Sequence, residues 1–181
     1  MRDETLGYYA LTKTKDRKGY IGSLLVVDAK GKPEEFRVTY PVKPTVLQSQ
    51  LYGESMLPHI GIELCGKPLF GALTEKPAVL FVNEPQFLSL GNEIACHVVC
   101  AQSGTPGAHL VGEEEQTSTL RCATGVHEPI TVRYPRGYDE ARRHQVEKLL
   151  DRFFLYLNLV EPFQRIEAAL KALQANDERF R

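Results

Sequence analysis

The densest set of chemically able side chains is Cys96-His97-Val98-Val99-Cys100, followed by Cys122 and His127. Residues four apart on a strand face the same side, so Cys96 and Cys100 share a face. A neighbouring strand over 117–123 would bring a third thiol close, with His127 at the next turn. Three thiolates and one imidazole suit tetrahedral zinc. Structural zinc ligands usually come from tight turns, however. These cysteines stand in apolar, strand-like sequence, where a free thiol packs as a small hydrophobe. Cys96, Cys100 and Cys122 are therefore expected as core thiols, with His127 beside them and no metal or cofactor required.

Other reactive pairings are thinner. Cys65 follows His59, with Glu63 between, but a nucleophilic thiolate needs an adjacent base or a positive environment. Pro58 beside His59 leaves their geometry open. Asp16 and Asp28 read as turn residues. Glu113-Glu114-Glu115 reads as a solvated loop. Gly104–Gly107 lacks the following helix and lysine of a phosphate cradle.

Two cationic sets carry more. Lys43 and Pro44 mark the junction of a strand with a helix, where free backbone donors favour an anion. Arg37 and Thr39 lie on the polar face of that strand, so Arg37, Thr39 and Lys43 form a candidate anion or ligand site. Arg133, Arg136, Arg142, Arg143, Lys148 and Arg152 concentrate positive charge that could follow a phosphate backbone. Asp139, Glu140, Glu147 and Asp151 dilute it with opposite charge at helical spacing.

These side chains need elements to position them. Leu6–Leu11 and 20–27 read as strands, the second apolar on both faces and therefore covered on both sides. The turn 29–33 leads into 34–40, which alternates Phe36, Val38 and Tyr40 with Glu35, Arg37 and Thr39. Pro44 then opens a helix with Val46, Leu47, Leu51 and Tyr52 as its apolar stripe. Gly53 and Pro58 break it before a second stretch reaches Leu73. Further strands are read at 78–82, 93–101, 117–123 and 130–134, with a loop over 102–112. Asp139 caps a helix over 139–160, and Pro162 opens another.

The implied fold is α+β, a mainly antiparallel sheet with a broken helix after the first hairpin and a helical C-terminus. Residues 1–135 form the sheet domain. Residues 136–181 form a helical segment packed on the same domain or on a partner. The run Phe153-Phe154-Leu155-Tyr156-Leu157-Asn158-Leu159-Val160 has only Asn158 as a polar member, so something must cover both its faces. Phe153, Phe154, Tyr156 and Leu157 are the candidate interface.

A chain of 181 residues with net charge −1 is not dominated by basic residues, which disfavours a dedicated nucleic-acid or membrane-surface binder. Four cysteines without a dense framework and no apolar leader segment point to a reducing cytoplasm.

The strand–turn–strand–helix run, with Val26-Val27-Asp28-Ala29-Lys30-Gly31 at its turn, resembles the opening of the roadblock, longin and profilin-like folds over about a quarter of the chain. That resemblance implies binding or scaffolding. The function expected is thus a non-catalytic protein-interaction or scaffold module, a subunit or homodimer, with a protein partner or self-association favoured over nucleic acid and no membrane. An accessory subunit of a nucleic-acid-processing system, using the basic helix 136–152, is the alternative. A thiol- or zinc-centred enzyme comes third.

Overall fold

A computed structural model of the chain describes residues 4–104 and 116–181. Strands β1 (Leu6–Lys13) and β2 (Tyr20–Val27) pair antiparallel from Leu6 opposite Val27 to Lys13 opposite Tyr20. Asp28 makes the next turn: its carboxylate accepts from the backbone N–H groups of Lys30 and Lys32, each at 2.8 Å. Gly31 takes the positive φ of 77° that the turn requires. Strand β3 (Pro33–Val38) then pairs with β2 at the sheet edge.

The chain leaves β3 through a long helical passage: α1 (Val46–Tyr52), a 3-10 turn (Gly53–Ser55), a single helical turn α2 (Met56–Pro58), a π-helical stretch (His59–Gly66) and α3 (Lys67–Ala72). The breaks fall at Gly53 and Pro58, where backbone freedom and a missing N–H weaken a regular helix. Strand β4 (Val79–Val82) returns parallel to β1, from Leu6 opposite Val79 to Tyr9 opposite Val82. A 3-10 segment (Pro85–Asn92) leads to β5 (His97–Ser103), parallel to β4. Strands β6 (Thr117–Leu120) and β7 (Ile130–Arg133) form a hairpin, and β7 docks antiparallel on β5. The order across the seven-stranded sheet is β3-β2-β1-β4-β5-β7-β6.

The sheet is therefore mixed, with a parallel ladder at its centre, and the expectation of a mainly antiparallel sheet is corrected. The outer pairs are hairpins, as their short turns dictate. A strand that follows a long helical crossover returns parallel to the one before it, and residues 39–78 are long enough for that crossover.

Two apolar layers sandwich the sheet. On one face Tyr9, Leu24, Leu80, Val98 and Cys100 pack against Ile60, Cys65, Leu69, Phe87 and Leu90 from the crossovers. On the other, Tyr8, Ile21, Phe81, Val99 and Val132 pack against α4 (Glu140–Phe154) and α5 (Pro162–Asn176). Asp139 caps α4 by accepting from the Arg142 N–H at 2.9 Å. The helix stops at Phe154 rather than at 160, in a turn where Asn158 accepts from the Val160 N–H. No described helix is long and apolar enough to cross a membrane.

Candidate functional site

Strand β1 outruns β4 toward its carboxyl end. The last parallel pair is Tyr9 with Val82, and the Asn83 N–H then donates to the Tyr9 carbonyl at 3.1 Å. Beyond it, the Asn83 side chain extends the ladder. Its Oδ1 accepts from the Leu11 N–H at 3.3 Å, and its Nδ2 donates to the Leu11 carbonyl at 3.2 Å. A crevice of about 780 Å³ opens at this end of the sheet, between β1 and α5. Open α/β sheets take their ligands outside the carboxyl ends of parallel strands, where neighbouring connections part. Here β1 is the point of divergence: β2 turns back on one side and β4 continues the parallel ladder on the other.

Phe163, Ile166 and Leu170 of α5 make the crevice apolar on one wall, and Lys13, Lys15 and Lys171 stand around it. Lys13 and Lys15 make no ion pair with a described residue. The Lys15 backbone is fixed by its N–H donating to Oε1 of the buried Gln174 at 2.7 Å. Two carboxylates line the crevice, Glu84 after β4 and Glu167 on α5. Glu167 pairs with Lys171 at 2.7 Å, and that hydrogen-bonded ammonium holds the carboxyl below its ordinary range. Glu84 accepts from the Gln86 side chain.

The residues singled out in the sequence lie elsewhere. Cys100 faces the crossover side of the sheet and Cys122 the opposite side. The Cys96 thiol donates to the Pro77 carbonyl at 3.3 Å, and burial pushes it up to about 12. His127 stacks on Phe154, with centroids 5.7 Å apart. Among the described residues no three His, Cys, Asp or Glu converge to hold a metal ion. His59 lies against Tyr52, while the buried Cys65 thiol sits 3.9 Å from the Thr39 hydroxyl and is raised by burial.

Arg37, Thr39 and Lys43 are each engaged separately. Arg37 pairs with Glu35. The Thr39 hydroxyl accepts from the Gly22 N–H at 3.0 Å. Lys43 donates to the Arg181 carbonyl at 2.7 Å. The helix beyond them starts at Val46 rather than Pro44, and the Thr45 side chain caps it. Its stripe residues Val46, Leu47 and Leu51 are exposed.

On α4, Arg143 pairs with Glu140 and Glu147, and Arg152 with Glu4 at 2.5 Å. Lys148 shares a hollow with Ala78 and His97, at the amino ends of β4 and β5 and so at the opposite end of these strands from the crevice. Arg133 and Arg136 border a smaller hollow beside Pro85. Phe153, Phe154 and Leu157 are buried in the sheet–helix core, whereas Tyr156 is 74% exposed. The acidic run Glu113–Glu115 and most of the loop 102–112 lie outside the described residues.

Sequence reasoning missed Asn83, Lys13, Lys15 and Lys171. A faint signal existed in the step from the buried run Val79–Val82 to Asn83-Glu84, which marks a strand's carboxyl end. Its meaning depends on that strand being parallel to β1.

No family model matches the chain, and no curated protein sequence matches it. Solved structures share its fold. Endonuclease V from Streptomyces avermitilis superposes with a TM-score of 0.58 at 17% identity, covering 95% of this chain and 83% of its own. Endonuclease V from Ciona intestinalis, bound to a 24mer DNA containing an inosine followed by a ribo-adenosine, gives 0.56 at 14% identity, covering 93% and 87%. The catalytic domain of human endonuclease V gives 0.51 at 13%, covering 96% and 85%.

This likeness corrects the functional expectation. A fold matched along nearly its whole length by nucleases, one solved on DNA, overturns the non-catalytic interaction or scaffold reading. It likewise overturns the preference for a protein partner over nucleic acid. The roadblock, longin and profilin-like resemblance covered only the first hairpin and helix, and it did not foresee the parallel strands β4 and β5.

Proposed function

We propose that this chain acts on nucleic acid and engages a strand in the crevice between β1 and α5. The observation that carries the reading is the placement of that crevice. It lies at the carboxyl ends of the parallel strands, bordered by lysines and floored by apolar side chains, in a fold similar to that of endonuclease V structures. Lysine ammonium groups attract phosphates by releasing condensed counterions. Phe163 offers an aromatic surface to an unstacked base. A net charge of −1 does not oppose this, because a local cluster steers a strand even on a neutral protein.

The test is fluorescence anisotropy with a labelled inosine-containing oligonucleotide across a salt series, with strand scission followed on a denaturing gel. Binding should weaken as salt rises. Lys13→Glu and Lys15→Glu should each weaken it and flatten the salt dependence by about one phosphate contact. Arg142→Glu on α4 should leave it unchanged. Absence of salt-dependent binding, or binding lost through α4 rather than β1, would defeat the proposal.

A further inference from the structure

We infer that the described side chains of the crevice engage a strand without a divalent cation, through lysines and the neutral Asn83 amide rather than through converging carboxylates. Two-metal phosphodiester chemistry places its ions about 3.5–4 Å apart, bridged and flanked by carboxylates. Magnesium further demands near-octahedral oxygen ligation. The crevice carries only two carboxylates among its described lining residues, and they stand on different elements. Glu167 pairs with Lys171 at 2.7 Å on an exposed helix turn, so a cation at this carboxylate would have to displace or face that ammonium. Glu84 accepts from the Gln86 side chain with one of its two oxygens.

The residue at the mouth of the parallel ladder is the decisive one. Asn83 uses its carbonyl oxygen to accept from Leu11 and its amide to donate to Leu11. That paired bond suits an amide. A carboxylate could take the N–H but would set its second oxygen against the Leu11 carbonyl. The local backbone therefore selects a neutral side chain at the carboxyl end of β4, where it adds no charge to the crevice. The ammonium groups of Lys13 and Lys15, free of ion pairs with described residues, are left to meet the phosphates directly.

The inference rests on the proposed function for the occupant of the crevice, but its cation claim stands on the donor set of the described residues. The full chain is titrated with Mn²⁺ alone, and unbound Mn²⁺ is followed by electron paramagnetic resonance. In parallel, the affinity for the inosine-containing oligonucleotide is measured in EDTA and in magnesium at constant ionic strength. The Mn²⁺ signal should show no stoichiometric site that Glu84→Gln or Glu167→Gln removes. The oligonucleotide affinity should change by less than about twofold between EDTA and magnesium, since only the ionic atmosphere differs. Stoichiometric Mn²⁺ binding abolished by either variant, or strand binding that collapses in EDTA, overturns the inference. If the oligonucleotide fails to bind under any condition, the nucleic-acid reading falls, and the Mn²⁺ titration still decides the cation.

Discussion

The Asn83 side chain is bonded at both ends to the backbone of Leu11, 3.3 Å from its N–H and 3.2 Å from its carbonyl. It thereby takes the place of one further residue of β4 beside β1, which runs on along β2 to Lys13 and forms one wall of the crevice.

Asn83→Asp should destabilise the protein by about 1–3 kcal/mol at neutral pH, because the Leu11 carbonyl loses its donor. The protonated acid can donate again, so folding favours the protonated form and raises this carboxyl above its unfolded value of about 3.9. Stability from that bond is present below the unfolded value and lost as pH rises through the folded one. The melting-temperature gap to wild type should therefore narrow on acidification, while Asn83→Ala keeps a constant gap. A pH-independent gap for the aspartate variant would refute the paired bond.

Gly61 and Gly71 should respond in opposite senses to alanine. A Cβ on Gly61 would overlap the Phe87 ring, and the Gly61 carbonyl accepts from the buried Tyr9 hydroxyl at 2.5 Å. Overpacking of this kind costs about 1–3 kcal/mol. Gly71, in α3, has nothing within 4 Å of its Cβ position. Alanine there should stabilise by about 0.5–1 kcal/mol through reduced backbone entropy. Urea unfolding measures both, and a destabilised Gly71→Ala would contradict the open space.

Cys122 should ionise near neutrality. Its bond with the Thr124 hydroxyl, with help from the backbone N–H groups of His127, Thr124 and Val126, lowers it from 9.0 to about 7. A depressed value means that the thiolate stabilises the fold. This contribution is complete above the unfolded value and is lost as pH falls through about 7. The stability difference between wild type and Cys122→Ser should grow from pH 7 toward 9, and the ultraviolet absorbance of the thiolate should titrate in step. A difference that stays flat over that window would show the thiol to be unionised.

Phe154 and Tyr156 divide core from surface at the end of α4. Phe154 is 1% exposed and Tyr156 74%. Phe154→Ala should cost about 3–5 kcal/mol. Tyr156→Ala should stay within about 0.5 kcal/mol, as surface changes do. Light scattering on Tyr156→Asp checks self-association separately: a dimeric wild type that becomes monomeric would make Tyr156 an interface residue.

Local periodicity and turn chemistry determined the ends of this fold. Asp28 and Gly31 specify the β2–β3 turn through contacts spanning four residues or fewer, and Asp139 and Pro162 set helix starts in the same way. Those signals are legible because their causes are neighbours in sequence. The parallel return of β4 to β1, and with it the mixed sheet, follows from how the crossover packs on one face. Short-range pattern does not encode that packing. The crevice is later still in the chain of causes. Asn83 meets Leu11 across 72 residues, and Lys171 joins Lys13 only because α5 lies over the sheet. Such residues carry at most a faint mark in the sequence, since their significance arises from long-range burial and from the ladder that one side chain completes.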